Sequence, residues 1–476
     1  MDCCSKDKNT KYDLVIIGSG SAAFAGALKA VELGSSVAMI ERGAIGGTCV
    51  NVGCVPSKTL IRAAEAKHRA EHPRFKGLNS KSTPISFETI IQEKDNLVSA
   101  LQKSKYIEVL QSYKGINLIK GQASFVSSHE IQVGNRTIKG DSFIIATGAS
   151  PSIPPVPGLK NVDYLTSTTA LELKKLPHSM VVLGGRYIAL ELAQMFQRMG
   201  TKVTLLQRSN RILPPEDPDL TDELTKNLTE EGMSIQTGVT LHNVSKNGQP
   251  PQTKVDYERE GKTQTICADQ LLVAAGRSPN TKGLNLEYIE VKIKDDGSIQ
   301  TNEYGQTTQP HIYAAGDVIG NPAFVYTAAY EGNLAAENAL NGNSRHRDYS
   351  IVPSVIFTDP QVARVGLNEI QAKNQGIEVD VSKLTMDNVP RALAARDTRG
   401  FIKLLKQKGT DQLIGASILA PEGSELLMEI AMAIKYKISV SEIASMFHPY
   451  LTLGEAVKLA AQTFHKDVKK LSCCAA

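Results

Sequence analysis

The chain has 476 residues and a net charge of +4, and is 41% hydrophobic and 21% charged with no tryptophan. So small a charge over this length gives no reason to expect nucleic acid or an anionic surface as a partner. No apolar run approaches the roughly 18 residues that span a bilayer, which argues against membrane insertion. At about 150 residues per domain, the length predicts about three domains. The opening "MDCCSKDKNT" is polar where a signal peptide would be apolar. Seven cysteines, paired as Cys3/Cys4, Cys49/Cys54 and Cys473/Cys474 with Cys267 left over, predict reactive or metal-binding thiols in a reducing, cytoplasmic setting.

In chain order, "YDLVIIGSGSAAFAGALKAVELGSSVAMIER" predicts a strand, a glycine-rich turn, a helix and a second strand ending at Glu41. Gly18 permits the tight turn, Gly20 lets a diphosphate approach backbone amides, and Ala23 lets helix and strand pack. Glu41, about 20 residues on, is placed for ribose hydroxyls. The pattern recurs at "SMVVLGGRYIALELAQMFQRMGTKVTLLQRS", with Gly184 at the turn and Arg186 in place of the second glycine, where it is expected to crowd a diphosphate. Gln207 takes the position of the ribose-binding acid and is followed by Arg208 and Arg211. Losing a carboxylate and gaining guanidinium groups suits a 2′-phosphate, so NADPH is expected over NADH.

Between and after these units, "FIIATGASPSIPP", "LLVAAGRSPNT" and "HIYAAGDVIG" are short apolar strands running into Gly, Pro or Asp. Asp317 follows a glycine at such a strand end, where it could accept hydrogen bonds from a ribityl or ribose chain. From about Asp348 the chain turns strand-rich and then helical in "GSELLMEIAMAIKYK", an α+β region.

Cys49 and Cys54 enclose four residues. In a continuous helix they would be about 7.5 Å apart along the axis, beyond the roughly 4.4–6.8 Å a disulfide tolerates. They can therefore bridge only if the backbone leaves the helix, which Gly53 allows. Pro56 suits a first helical turn and would set Cys54 near a helix N-terminus, favouring its thiolate.

"GGTCVNVGCVPSK", together with "ATG", "AAGD" and the two nucleotide units, resembles the flavin disulfide oxidoreductases from about Lys11 to Cys474. The resemblance implies a glutathione-reductase-like α/β fold with two Rossmann-like domains and an α+β dimerisation domain. The expected boundaries are 1–155 and 278–347 for the two parts of the FAD domain, 156–277 for NADPH, and 348–476 for dimerisation with the Cys-Cys tail. It implies FAD contacts at Ala23, Glu41, Gly43, Thr48, Lys58, Ala123, Asp317 and Val325. It makes Cys49 the interchange thiol and Cys54 the thiol against the flavin, pairs Glu191 with Lys58, and sets Tyr187 over the nicotinamide pocket. It also implies a homodimer whose active sites are shared between subunits.

Disulfide-reducing members carry a His-Pro-Thr-x-x-Glu pattern near the C-terminus; here "MFHPYLTLGEAVKLAAQTFHKDVKKLSCCAA" has Tyr450 for the threonine and no acid at the expected place, the nearest being Glu455. His448 is retained and is expected to be a packed imidazole. The Pro-Tyr-Leu-Thr run, "KLAAQTF" and the terminal Cys-Cys resemble mercuric reductases, without the N-terminal metal-binding domain that many of them carry. By that resemblance Tyr106 lies beside the inner cysteines and Tyr450 comes from the partner subunit. Adjacent Cα atoms lie about 3.8 Å apart, too close for an easy disulfide, whereas two thiolates form a soft ligand pair suited to Hg(II). The expectation is therefore NADPH-dependent, FAD-mediated reduction of Hg(II) delivered as thiol complexes. Cys473 and Cys474 of one subunit would capture the ion and pass it to Cys49 and Cys54 of the other. The alternatives are a thioredoxin- or glutathione-type disulfide reductase with a C-terminal shuttle, and a thiol-rich metal sequestrant without catalysis. Cys3 and Cys4 are expected as an auxiliary scavenger or a frayed end, and Cys267 as a small buried hydrophobe.

Overall fold

The computed structural model describes residues 9–79, 86–248 and 252–468. Cys3, Cys4, Cys473 and Cys474 lie outside the described residues. The chain divides into two compact units. One comprises the chain up to Thr59 with Ile91–Ser152 and Gly276–Asp348; the other comprises Leu60–Ile90, Ile153–Ala275 and the chain from Tyr349.

The first unit is built on the strand Asn9–Ile17, where Leu14, Val15 and Ile16 are all buried. Successive side chains point to opposite faces, so this strand is covered on both, as parallel sheets require. It runs parallel to Val37–Glu41 on one side and Arg136–Ile145 on the other, and Val37–Glu41 pairs in turn with Ile116–Lys120. Along its second edge, Arg136–Ile145 changes partner: Glu130–Val133 lies antiparallel to its first half, and Ile312–Ala314 lies parallel to its end. The C-terminal ends of four parallel strands thus lie at one edge, with Glu41 the last residue of its strand and Gly18, Thr147 and Asp317 just beyond theirs, and open α/β sheets bind ligands at such an edge. The helix Ser21–Glu32 packs against Val325–Asn341 with almost no side chain between them. A Cβ added to Gly332 would lie 1.9 Å from the Ala22 carbonyl oxygen.

The second unit repeats the motif in a parallel sheet ordered Ser234–Thr237, Lys202–Gln207, Ser179–Leu183, Gln270–Val273, Leu165–Thr166. Beside it stands an antiparallel meander, Thr240–Lys246, Thr253–Arg259 and Lys262–Ala268. The chain from Ser354 adds a five-stranded antiparallel sheet, whose core is shared with the helices Leu427–Lys435, Val440–Ser445 and Glu455–Gln462. The α/β class with two Rossmann-like parts and an α+β region is as expected. Cys267 is not: it is exposed. Its strand is the edge of the meander, and the alternation turns Ala268 inward and Cys267 out. Among the described residues, no helix is long and apolar enough to cross a membrane.

Candidate redox and dinucleotide site

Cys49 and Cys54 sit on two different helices. The first, Gly47–Val52, ends at Gly53, whose backbone (φ −130°, ψ −112°) is not helical, and the second, Cys54–Glu71, starts at once. Gly53 has no room for a side chain, since a Cβ there would lie 2.9 Å from the Thr48 carbonyl oxygen. The break expected at Gly53 and the helix start expected at Cys54 are both present. No disulfide joins the two; Cys49 is half-buried and Cys54 exposed. The Cys49 thiol is pushed well up, first by its hydrogen bond to Cys54 and then by burial, against the nearby Lys58 charge. Cys54 stands at the N-terminus of the second helix.

Asn51, between the cysteines, locks this corner. Its Nδ2 donates to the carbonyls of Ile45 and Gly47, both at 2.9 Å, and its Oδ1 accepts from Gln102 Nε2 at 2.9 Å. Gln102 leads into a π-turn, Lys103–Ile107, which carries Tyr106. The Tyr106 ring stands edge-on to Phe24 with centroids 4.7 Å apart and rests against Gly46. Burial raises its phenol above the ordinary range, and negative charge on Cys49 and Cys54 adds to this. Tyr106 thus lies near the thiol pair; a π-turn shifts the helical register, and such turns recur at functional sites.

The dinucleotide turn of the first unit fits a tightly held cofactor. Gly18 has φ +117°, and a Cβ there would meet the Ala146 carbonyl oxygen at 2.3 Å, so only glycine is possible. Gly47, at the start of the redox motif, would place a Cβ 2.6 Å from Gly20 Cα. The nucleotide turn and the redox helix therefore touch backbone to backbone. An open cleft runs from Gly18 past Glu41 to Ala123. Glu41 is oriented by Ser19 Oγ, which donates to Oε2 at 2.7 Å, and by the Gly43 N–H, which donates to Oε1 at 2.6 Å. Ala23 is fully buried in the first turn of the helix Ser21–Glu32, Thr48 is exposed in the redox motif, and Lys58 follows one turn after Cys54. Asp317 opens a short 3-10 turn, and Val325 begins the helix Val325–Asn341. Burial raises the Asp317 carboxyl, opposed by Arg277, whose Nε lies 3.8 Å away.

The second turn copies the first. Gly184 has φ +123° and would clash with the Ala274 carbonyl oxygen at 2.4 Å, just as Gly18 does with Ala146. Gln207 is buried with its side chain against Gly185. Arg186 caps the helix Tyr187–Met199 in extended backbone with its side chain exposed. Arg208 is exposed at the strand end, whereas Arg211 turns back to donate to the Pro214 carbonyl at 2.9 Å. Tyr187 is half-buried, and Glu191 is buried and accepts from the Phe357 N–H at 2.9 Å.

At the C-terminal end, Tyr450 and Phe447 are exposed, while His448 is nearly enclosed. His448 Nε2 lies 2.7 Å from Glu429 Oε1 of the helix Leu427–Lys435. Glu455 instead accepts from the Leu451 N–H. Arg277, Asn51, Gln102 and Glu429 were not singled out from the sequence. Asn51 and Arg277 lay inside recognised segments, but Glu429 precedes His448 by 19 residues, and no local pattern links them.

Residues 12–332 match the pyridine nucleotide-disulphide oxidoreductase family, and residues 352–461 match its dimerisation domain. A mercuric reductase of Staphylococcus aureus is 48% identical over 469 residues, covering 98% of this chain and 85% of that protein. A mercuric reductase of Bacillus cereus is 46% identical over 467 residues, covering 98% and 74%. One from Streptomyces lividans is 44% identical over 476 residues, covering 98% and 99%. Among solved structures, the Cu(II) complex of the HOCl-induced flavoprotein disulfide reductase RclA from Escherichia coli superposes with a TM-score of 0.86 at 30% identity, covering 96% of this chain and 100% of that one. The chain belongs to the pyridine nucleotide-disulphide oxidoreductase family: it is an FAD- and NADPH-using oxidoreductase with mercuric reductases among its curated relatives and a dimerisation domain that supports a homodimer.

Proposed function

We propose that the enzyme reduces Hg(II) to volatile Hg(0) in the cytoplasm. The observation that carries this reading is the pair Cys49 and Cys54, held on separate helices beside the dinucleotide turn, in a chain with mercuric reductases among its relatives at 43–48% identity. Soft thiolates suit this soft ion. Hg(II) arrives bound to small thiols, is taken by Cys473 and Cys474 of one subunit, and moves to Cys49 and Cys54 of the other by exchange of one thiolate at a time. Tyr106 and Tyr450 flank that transfer and offer phenol hydrogen bonds to the sulfurs. Gly18, Gly20, Ala23, Glu41, Gly43, Thr48, Lys58, Ala123, Asp317 and Val325 hold FAD. Gly184, Tyr187, Glu191, Arg208 and Arg211 serve NADPH. Bound FAD supplies the path by which two electrons pass from NADPH to Hg(II), and Hg(0) leaves the freed thiolates.

The test is Hg(II)-dependent NADPH oxidation by the purified enzyme, with thioredoxin and oxidised glutathione as the competing substrates. Turnover with mercury alone supports the reading. The Cys473→Ala/Cys474→Ala double variant, assayed at low Hg(II) with excess small thiol, should volatilise mercury more slowly; unchanged turnover would sink the relay. A disulfide reductase remains the second reading, favoured by the His448–Glu429 pair, and turnover with a disulfide would establish it.

A further inference from the structure

Two primary amides knit together the chain at the start of the redox motif, and each donates two hydrogen bonds. Asn51 Nδ2 donates to the carbonyls of Ile45 and Gly47, on either side of Gly46, both at 2.9 Å. Gln102 Nε2 donates to the same Ile45 carbonyl at 3.1 Å and to Asn51 Oδ1 at 2.9 Å. A carbonyl oxygen has two lone pairs, so Ile45 can accept from both amides at once. Gly46, held from both sides, is buried with φ +99°. The Tyr106 ring lies on its backbone: a Cβ built on Gly46 would be 3.3 Å from Tyr106 Cγ and Cδ1. Phe24 meets the same ring edge-on, with centroids 4.7 Å apart. All of these residues belong to one compact unit.

Gln102 is the last residue of the helix Phe87–Gln102 and directly precedes the π-turn Lys103–Ile107. A π-turn bonds i to i+5 where an α-helix bonds i to i+4, so it rotates the residues after it around the helix axis. Where Tyr106 points therefore depends on where that turn begins, and the Gln102 amide ties its beginning to Asn51 and Ile45. We propose that Gln102 is a positioning residue for Tyr106: by pinning the entry to the π-turn it sets the ring on Gly46 and places the phenol for the transfer of Hg(II). This rests on the reading of Tyr106 as a residue that flanks that transfer. Gln102 acts only through Tyr106.

The experiment is a double-mutant cycle in the FAD-loaded enzyme, read as mercury-dependent NADPH oxidation. Gln102→Leu removes both donors, and kcat should fall about tenfold, a modest part of what an ångström of misplacement can cost. In a Tyr106→Phe background there is no phenol to place, so adding Gln102→Leu should lower kcat by less than about twofold. An equal loss in both backgrounds overturns the proposal, because Gln102 would then be steadying the redox helix itself. A second readout needs no mercury: fluorotyrosine is incorporated at position 106 and followed by fluorine NMR. Its resonance should shift or broaden in Gln102→Leu, and an unmoved resonance also overturns the proposal. A wild type that turns over no mercury would sink the Hg(II) reading alone, and the fluorine resonance would still decide whether Gln102 places the ring. Should Gln102→Leu fail to fold, Gln102→Glu is the second variant. It keeps the shape but sets a carboxylate against two acceptors, and the same fall in kcat and the same change in the resonance are expected.

Discussion

His448 Nε2 lies 2.7 Å from Glu429 Oε1, and its Nδ1 lies 3.3 Å from the Met446 carbonyl oxygen, so both ring nitrogens have partners. The family pattern supplies the orienting acid a few residues after the histidine; here it comes from a neighbouring helix. The pair is positioned but not symmetrical in exposure, since the imidazole is nearly enclosed and Glu429 is about a third exposed. Glu429→Ala should cost about 1 kcal/mol of stability, less than a fully buried hydrogen bond to a charged group because the carboxylate is partly wet. If Hg(II) is the substrate, His448→Ala should leave mercury-dependent NADPH oxidation within about twofold, because thiolate exchange on the ion needs no general acid. A tenfold or greater loss of turnover would instead assign the imidazole a proton-transfer role.

The contact of two helices through Gly332 makes a stability prediction. Gly332→Ala would drive a methyl group into the Ala22 carbonyl, and neither backbone can give way as a side chain would. Overpacking of this kind costs about 1–3 kcal/mol or more. Thermal unfolding should shift down by several degrees, about 2–4 °C per kcal/mol for a unit of this size. FAD should dissociate more readily on gel filtration, because Ala22 follows the dinucleotide turn directly.

His68 introduces a pH dependence. It lies among Arg198, Glu231 and Asp359, part of a network in which Arg198 Nη2 and Arg399 Nη1 both reach Glu231 Oε1 and both arginines pair with Asp359. Burial, and then the Arg198 charge, pull the imidazole down to about 4. The unfolded chain would take up a proton near pH 6.5, while the folded one stays neutral until about 4. The stabilisation is therefore complete above about pH 6.5 and is lost as the pH falls toward 4, on the order of 2 kcal/mol after allowing for partial exposure. Burial opposes the ionisation of Asp359, but Arg399 and Arg198 outweigh it and hold the carboxyl below its ordinary range, so its contribution is lost at still lower pH. His68→Gln should flatten the melting temperature between pH 6.5 and 4 without removing the acid transition; an unchanged slope would show that His68 is not the group responsible.

Arg208 and Arg211 are expected to differ in their effect on coenzyme choice. Arg208 is exposed at the end of the strand Lys202–Gln207, whereas the Arg211 guanidinium is already held by the Pro214 carbonyl. Arg208→Ala should raise the KM for NADPH about tenfold or more, the loss of one charge-assisted contact to a 2′-phosphate. It should leave the KM for NADH nearly unchanged. Arg211→Ala should have the smaller effect. Equal losses for both coenzymes would contradict the 2′-phosphate assignment.

Local chemistry was readable wherever one short stretch of chain carries it. The two strand–turn–helix units follow from Gly18 and Gly184, because a positive φ packed on a neighbouring carbonyl admits only glycine. The break at Gly53 follows from the reach of a disulfide against the rise of a helix. What the tertiary structure alone decided are the pairings between distant segments: Glu429 with His448, Arg277 with Thr48 and Asp317, Gln102 with Asn51, and the burial that depresses His68. None of these leaves a periodicity or a spacing in the sequence, because each depends on which strand or helix the fold sets beside another. Cys267 shows the same limit from the other side. Its apolar neighbours suggest burial, but only the position of its strand at a sheet edge determined that the thiol faces water.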